Sequence, residues 1–348
     1  MTDEKIHIMK KLTILFVMAF CSLLLKAESK ITRAELLARV DYMYENIDGN
    51  SIGANNGFKG RYIFFRLDGN ITEGLSFAYR QRINKPTSIQ SLFDATDFLN
   101  LTYTKGPWSV SAGKQIMAIG GYEYDRAPFD LYYCSEFWYN IACFQLGVSG
   151  SYAFAEGKDK LTLQITESPF RRGSLNPTND DIYAYNLMWS GSHDWFKAIY
   201  SVNVMEYMPG KFIGYLALGN RFEAGDLAFE FDFMNKGTNG KNLLFDDISF
   251  IGHLDWAVND AINVFVKASY DRNNSVAEDL CVAAGTSVYR VGAGVEYFPL
   301  KENKNLRLHL NCCYSDGQSP AANSTRPKQT ILDAGLTWKL DFLNIKRK

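Results

Sequence analysis

"DAGLTWKLDF", residues 333 to 342, sets apolar Ala334, Leu336, Trp338, Leu340 and Phe342 against polar or small Asp333, Gly335, Thr337, Lys339 and Asp341. Alternation at period two marks a β-strand with one apolar and one polar face. In a soluble sandwich the apolar face packs a core and the polar face meets water. In a membrane barrel the apolar face meets lipid and the polar face a lumen. One strand does not separate these readings, so the rest of the chain has to.

The pattern recurs about every ten residues, each time closed by a turn signal. Apolar registers run through Val40, Tyr42 and Tyr44, through Ile63, Phe65 and Leu67, and through Leu161, Leu163 and Ile165. Later examples are Leu227, Phe229, Phe231 and Phe233, then Ile262, Val264 and Val266, then Leu306, Leu308 and Leu310. The stretch from Phe212 to Asn220 is a weaker instance. The whole series predicts about sixteen strands. The intervening positions carry Arg39, Asp41, Arg80, Arg82, Asn203, Glu230, Asp232, His253, Asp255, Lys267, Arg290, Glu296, Arg307 and His309. Short connections such as "KG", "GSHD" and "EAGD" take turns with longer polar ones such as "NKPTSIQSLFD" and "SDGQSPAANSTRPK", and "EYMPGK" is a short member of the second set.

That layout predicts an all-β transmembrane antiparallel up-and-down barrel with both termini on the short-turn side. In lipid every backbone group must be paired, so the sheet has to close. About sixteen strands leave an aqueous lumen, whereas eight fill themselves with side chains.

Composition fits. The 348 residues are 47% apolar and 14% aromatic, with 20 Tyr and 24 Phe. After residue 25 no apolar run approaches the ~20 residues of a spanning helix. "MKKLTILFVMAFCSLLLKAES" reads as a signal peptide, with Lys10 and Lys11 before the apolar Leu12 to Leu25 and a cleavage site at Ala27. Residues 1 to 27 are therefore assigned to the signal and 28 to 348 to the barrel, and Met9 is an alternative start. Phe20 before Cys21 is too bulky for a lipoprotein signal. Cleavage removes Lys5, Lys10, Lys11, Lys26, Asp3 and Glu4 from totals of 37 basic and 38 acidic residues, leaving 33 against 36. No basic field for nucleic acid remains. Five cysteines stay in the mature chain (Cys134, Cys143, Cys281, Cys312, Cys313), an odd count that allows a pair but not a complete disulfide framework. No metal-ligand spacing or cofactor motif is found.

Two stretches carry a resemblance. "AGKQIMAIGGYEYDRAPFDLYYCSEFW", residues 112 to 138, resembles the third-loop region of porins in the phosphate-selective porin O/P family. "RYIFFRLDGNITEGLSFAYRQR", residues 61 to 82, is similar to that family's paired early strands. The terminal stretch also looks like the signal read by the outer-membrane assembly machinery, although "NIKRK" follows it. The resemblance implies a sixteen-stranded outer-membrane channel for small hydrophilic solutes or ions, usually a homotrimer in outer-membrane lipid, with its third loop folded inward as a constriction. In phosphate-binding members arginines line the wall and lysines sit at the neck. Arg66, Arg80 and Arg82 are the matching wall candidates, and Lys114 lies where the strand enters the loop. The planar guanidinium fork suits phosphate oxygens. The loop itself carries Glu123, Asp125 and Asp130 against Arg126, a balance that favours cations if those carboxylates face the passage. Both groups have a plainer reading, as ion pairs that tie wall to wall or loop to wall.

Other functions are weighed too. Ser249, His253 and Asp255 share an inward register, which suggests a barrel hydrolase. Spaced along one strand they lie roughly 6.6 to 13 Å apart by rise alone, which predicts no direct hydrogen bonds. A structural or adhesive barrel is the remaining alternative to a channel.

Overall fold

The protein's structure is a computed structural model that describes residues 30–85, 93–141, 143–172, 176–238, 247–274, 285–300, 303–319 and 324–344. The predicted signal segment and Cys281 lie outside the described residues.

Sixteen long antiparallel strands form one sheet: β1 (Lys30–Ile47), β2 (Gly57–Thr72), β3 (Leu75–Arg82), β4 (Thr96–Lys105), β5 (Trp108–Ile116), β6 (Phe144–Phe154), β7 (Asp159–Glu167) and β8 (Tyr183–His193). They continue as β9 (Phe196–Met208), β10 (Lys211–Ala224), β11 (Leu227–Thr238), β12 (Asp247–Asn259), β13 (Ile262–Asn273), β14 (Ser287–Tyr297), β15 (Leu306–Ser319) and β16 (Ser324–Asn344). A two-residue strand, Asn50–Ser51, folds back on β1. Each long strand pairs with its sequence neighbours. β1 also pairs with β16, from Arg33 opposite Asn344 to Ile47 opposite Gln329, so the sheet closes into a barrel with no free edge.

The two faces meet opposite surroundings. On β7, Leu163 is 62% exposed and Leu161 41%, while Gln164 is 4% and Thr162 7% exposed. A soluble sandwich would show the reverse. Here apolar side chains cover the outside and polar ones are enclosed, which answers the question posed by residues 333 to 342: Leu332, Leu340 and Phe342 face outward and Asp333 is buried. No helix among the described residues is long and apolar enough to cross a membrane. Among the described residues, Cys134, Cys143 and Cys312 carry free thiols.

The longest structured connection, residues 117 to 143 between β5 and β6, folds into the lumen. It contains two single-turn helices, α1 (Tyr122–Asp125) and α2 (Glu136–Asn140). Its apolar Met117, Ile119, Tyr124, Phe137 and Ile141 pack on inward residues of the wall, Met205, Tyr207, Ile213, Tyr215, Met234 and Ile251. β10, expected only as a weak strand, is a full strand of 14 residues. Its alternation was blurred because Ile213, Tyr215 and Ala217 make the inner side apolar as well, and that is where the loop lands.

Candidate functional site

The loop approaches the wall backbone to backbone. A Cβ on Gly120 would lie 2.6 Å from the Ile199 carbonyl, and one on Gly219 would lie 2.6 Å from the Gly121 Cα. Gly121 has φ +98°, which a residue with a side chain adopts only under strain. Three glycines therefore let the loop lie flush. Wall side chains then satisfy its backbone: Gln164 Oε1 accepts from Ala118 N (2.7 Å), Ser201 Oγ from Gly120 N (2.8 Å), and Asp232 from the N–H groups of Tyr122 and Glu123 (2.8 and 2.7 Å). A buried backbone without such partners would cost heavily.

Beyond α1 the contacts are ionic. Arg126 bonds Glu230 of β11 and Asp255 of β12, each at 2.8 Å. Lys267 of β13 donates to Glu123 at 2.5 Å and to the Tyr133 carbonyl at 2.8 Å. Asp130 meets Arg307 of β15 at 2.8 Å, Tyr132 donates to Glu296 of β14 at 2.6 Å, and Glu136 pairs with Arg290 of β14. Arg39 of β1 donates to the carbonyls of Phe129 and Leu131 (3.3 and 2.8 Å), and the Phe129 ring meets Phe64 of β2 edge-on at 5.9 Å. The loop thus follows the wall from β7 round to β2.

Glu123 and Asp130 are consequently tied to wall cations, one of the two readings open from the sequence. Arg126 is likewise an anchor. Asp125 is exposed, with no ion pair among the described residues. Burial holds the Asp130 carboxyl above its ordinary range, with Arg307 opposing the shift.

The arginine candidates lie elsewhere, on β2 and β3. Arg66 and Arg80 sit directly opposite one another across the ladder. Like charges at such a pair repel, and each is offset by its own carboxylate: Arg66 by Asp68 (2.9 Å) and Arg80 by Asp97 (2.9 Å). Arg80 is buried, with Phe64, Phe98 and Phe144 rings 4.6 to 5.3 Å from its guanidinium. Arg82 differs. It lies 4.5 Å over the Tyr62 ring and donates to the Arg61 carbonyl at 3.4 Å, and no carboxylate among the described residues pairs with it. Lys114 pairs across the ladder with Leu99 and Leu146, both exposed on the outer face, and its ammonium donates to the Phe93 carbonyl at 2.8 Å. The glycine before it, with φ +121°, left its side unreadable in advance.

Two further clusters went unassigned from the sequence or were misjudged there. Asp41, His309 and Asp333 bring three ligand-type atoms within 4.8 Å of one another where β1 and β16 meet. Arg39 contacts both carboxylates (2.7 and 3.7 Å) and Arg61 contacts Asp41 (3.3 Å), supplying the positive charge that a metal ion would otherwise bring. His253 Nε2 stands 3.0 Å from Asp255 Oδ1, contrary to the expectation from strand rise, because two long side chains on one face lean toward each other. Ser249 is bonded instead to Asp271 at 2.5 Å, so no relay of the three forms.

Comparison with known proteins gives a consistent picture. Residues 35–196 match the family model described as phosphate-selective porin O and P. Among solved structures, the anion-selective porin from Comamonas acidovorans is similar with a TM-score of 0.64 and 11% identity, covering 90% of this chain and all of that one. OmpT of Vibrio cholerae gives 0.60 and 11%, covering 90% and 98%. A variant of the Rh. blastica porin gives 0.53 and 10%, covering 90% and 100%. No curated protein matches the sequence. A closed sixteen-stranded barrel with an inward loop is the fold of those solved porins, and over residues 35–196 the chain is similar to the phosphate-selective porins O and P.

Proposed function

We propose that this porin is an outer-membrane channel that prefers anions, with Arg82 and Arg66 on the passage side and Arg80 as their buried support. The observation that carries this reading is the division of charge. The loop carboxylates Glu123 and Asp130 are neutralised by Lys267 and Arg307, which leaves Asp125 as the exposed one of the three, while Arg82 keeps a guanidinium with no carboxylate in ion-pair contact among the described residues. A partly exposed cation with no carboxylate in direct contact raises the local anion concentration. The structurally similar Comamonas acidovorans protein is described as anion-selective, which agrees. Phosphate is the favoured anion on the chemistry of the guanidinium fork.

Reversal potential in asymmetric potassium chloride tests the proposal. Wild type should favour the anion. Arg82→Ala removes about 1 kcal/mol of attraction in a water-filled passage, roughly a fivefold fall in the anion-to-cation permeability ratio. A cation-preferring wild type, or an Arg82→Ala channel with the same reversal potential, would overturn it.

The same reading assigns the chain to outer-membrane lipid as a homotrimer, inserted by the assembly machinery through residues 333 to 342. One similar protein, OmpT of Vibrio cholerae, is described in a trimer form. Chemical cross-linking in mild detergent should stop at three subunits; a ladder ending at one or two would reject the trimer.

A further inference from the structure

Beneath the loop, on the side of the short turns, a cavity of about 270 Å³ lies between loop residues 126–133 and the wall from β12 to β15. Arg126, Asp255, Asn263 and Glu296, which line it, also line a recess of about 460 Å³ that reaches the turn residues Gly225 and Asp226. A solute on the short-turn side therefore has a way in.

The lining is unusual in being charged yet balanced. Arg126, Lys267 and Arg307 face Asp130, Asp255 and Glu296, three cations against three carboxylates. All are engaged in ion pairs, so a charged guest would have to break one pair to gain another. One wall is apolar: the Phe265 ring is stacked between His253 (5.7 Å, 13°) and Tyr132 (5.2 Å, 9°). Two buried atoms here have no hydrogen-bond partner in the protein, His253 Nδ1 and Arg307 Nε. With the Nε2 proton directed at Asp255, Nδ1 is an acceptor, whereas Arg307 Nε is always a donor. Buried polar atoms of this kind are normally satisfied. A hydroxyl group satisfies either one, and several hydroxyls on one small frame satisfy both.

We infer that this cavity is a subsite for a neutral, hydroxyl-rich solute of monosaccharide size, entered from the short-turn side. The inference is separate from anion preference, which depends on β2 and β3.

Ion conductance in a planar bilayer, measured while glucose is added to each side in turn, tests it. A poly(ethylene glycol) of similar mass serves as the neutral control that accepts hydrogen bonds along its length but has donors only at its ends. Glucose should lower the conductance saturably, more strongly from one side, and beyond the effect of the glycol. His253→Phe keeps the ring stack and removes the acceptor; Asn263→Leu removes an amide from the lining and leaves the loop's anchors in place. Each should weaken the glucose effect roughly three- to tenfold, the worth of one hydrogen bond, with the reversal potential unchanged. Equal, unsaturable effects of glucose and glycol would overturn the inference, as would a saturable glucose effect that neither substitution alters. Because reversal potential is read in the same membrane, failure here and failure of the anion reading are distinguishable.

Discussion

The Lys267–Glu123 pair shows what individual residues contribute. Its side chains are 4% and 2% exposed, and the ammonium also reaches the Tyr133 carbonyl. Removing one partner of such a pair leaves a buried charge alone, at a cost of about 3 to 5 kcal/mol. Lys267→Met should therefore lower the temperature at which the barrel loses its compact gel mobility and should make single-channel currents noisy as the loop loosens. Lys267→Met with Glu123→Gln should recover much of that loss; a single variant as stable and as quiet as wild type would mean that the pair does not hold the loop. At this scale the sequence was only partly legible. The Arg66–Asp68 pair was foreseeable because the two residues alternate on one strand. Lys267 and Asp232 as loop anchors were not, since which wall residues meet the loop depends on closing a ring whose members are more than 100 positions apart.

Elements were more legible than residues. Period two requires only neighbours, and it marked strands from near Lys30 to near Asn344. The exception, β10, is instructive: an inner face made apolar by Ile213, Tyr215 and Ala217 weakened the alternation and was itself the imprint of the docked loop. A strand apolar on both faces within an otherwise alternating series is a sign of something packed inside. Gly219, under Gly121, provides the test. Gly219→Val inserts methyl groups where a Cβ already lies 2.6 Å from the loop backbone. Overpacking of this kind costs about 1 to 3 kcal/mol and falls on loop seating, not on strand pairing. Single-channel conductance should rise while barrel mobility on gels stays intact; wild-type conductance would show that the loop does not depend on this close approach.

For the whole molecule, the outward belt decides the solvent. Leu163, Leu310 and Phe342 are exposed, while Gln164, Asn311 and Asp333 beside them or across the ladder are buried. Leu163→Arg should cost about 2 to 4 kcal/mol if the position lies near the bilayer midplane, read as a lower urea midpoint in lipid vesicles. Gln164→Arg, directed inward, should not be penalised by lipid in the same way. Equal effects at both positions would contradict the assignment of faces. Strand number and the alternation of short and long connections were readable in advance, and the inward loop was implied by the resemblance carried by residues 112 to 138. The sector of wall that the loop covers was not, because it is set by contacts made only after the ring exists.

Arg39 makes the last point concrete. It belongs to the first strand, grips two carbonyls near the tip of the inner loop, and lies 3.7 Å from Asp333 of the final strand. One side chain thereby fastens the joint between the two ends of the chain to the loop that narrows the bore. A chain truncated before its last strands would lack Arg307 and Asp333 together. It would be left with an unsealed seam and a loop that Arg126 and Lys267 still hold but that has lost its Asp130–Arg307 tie.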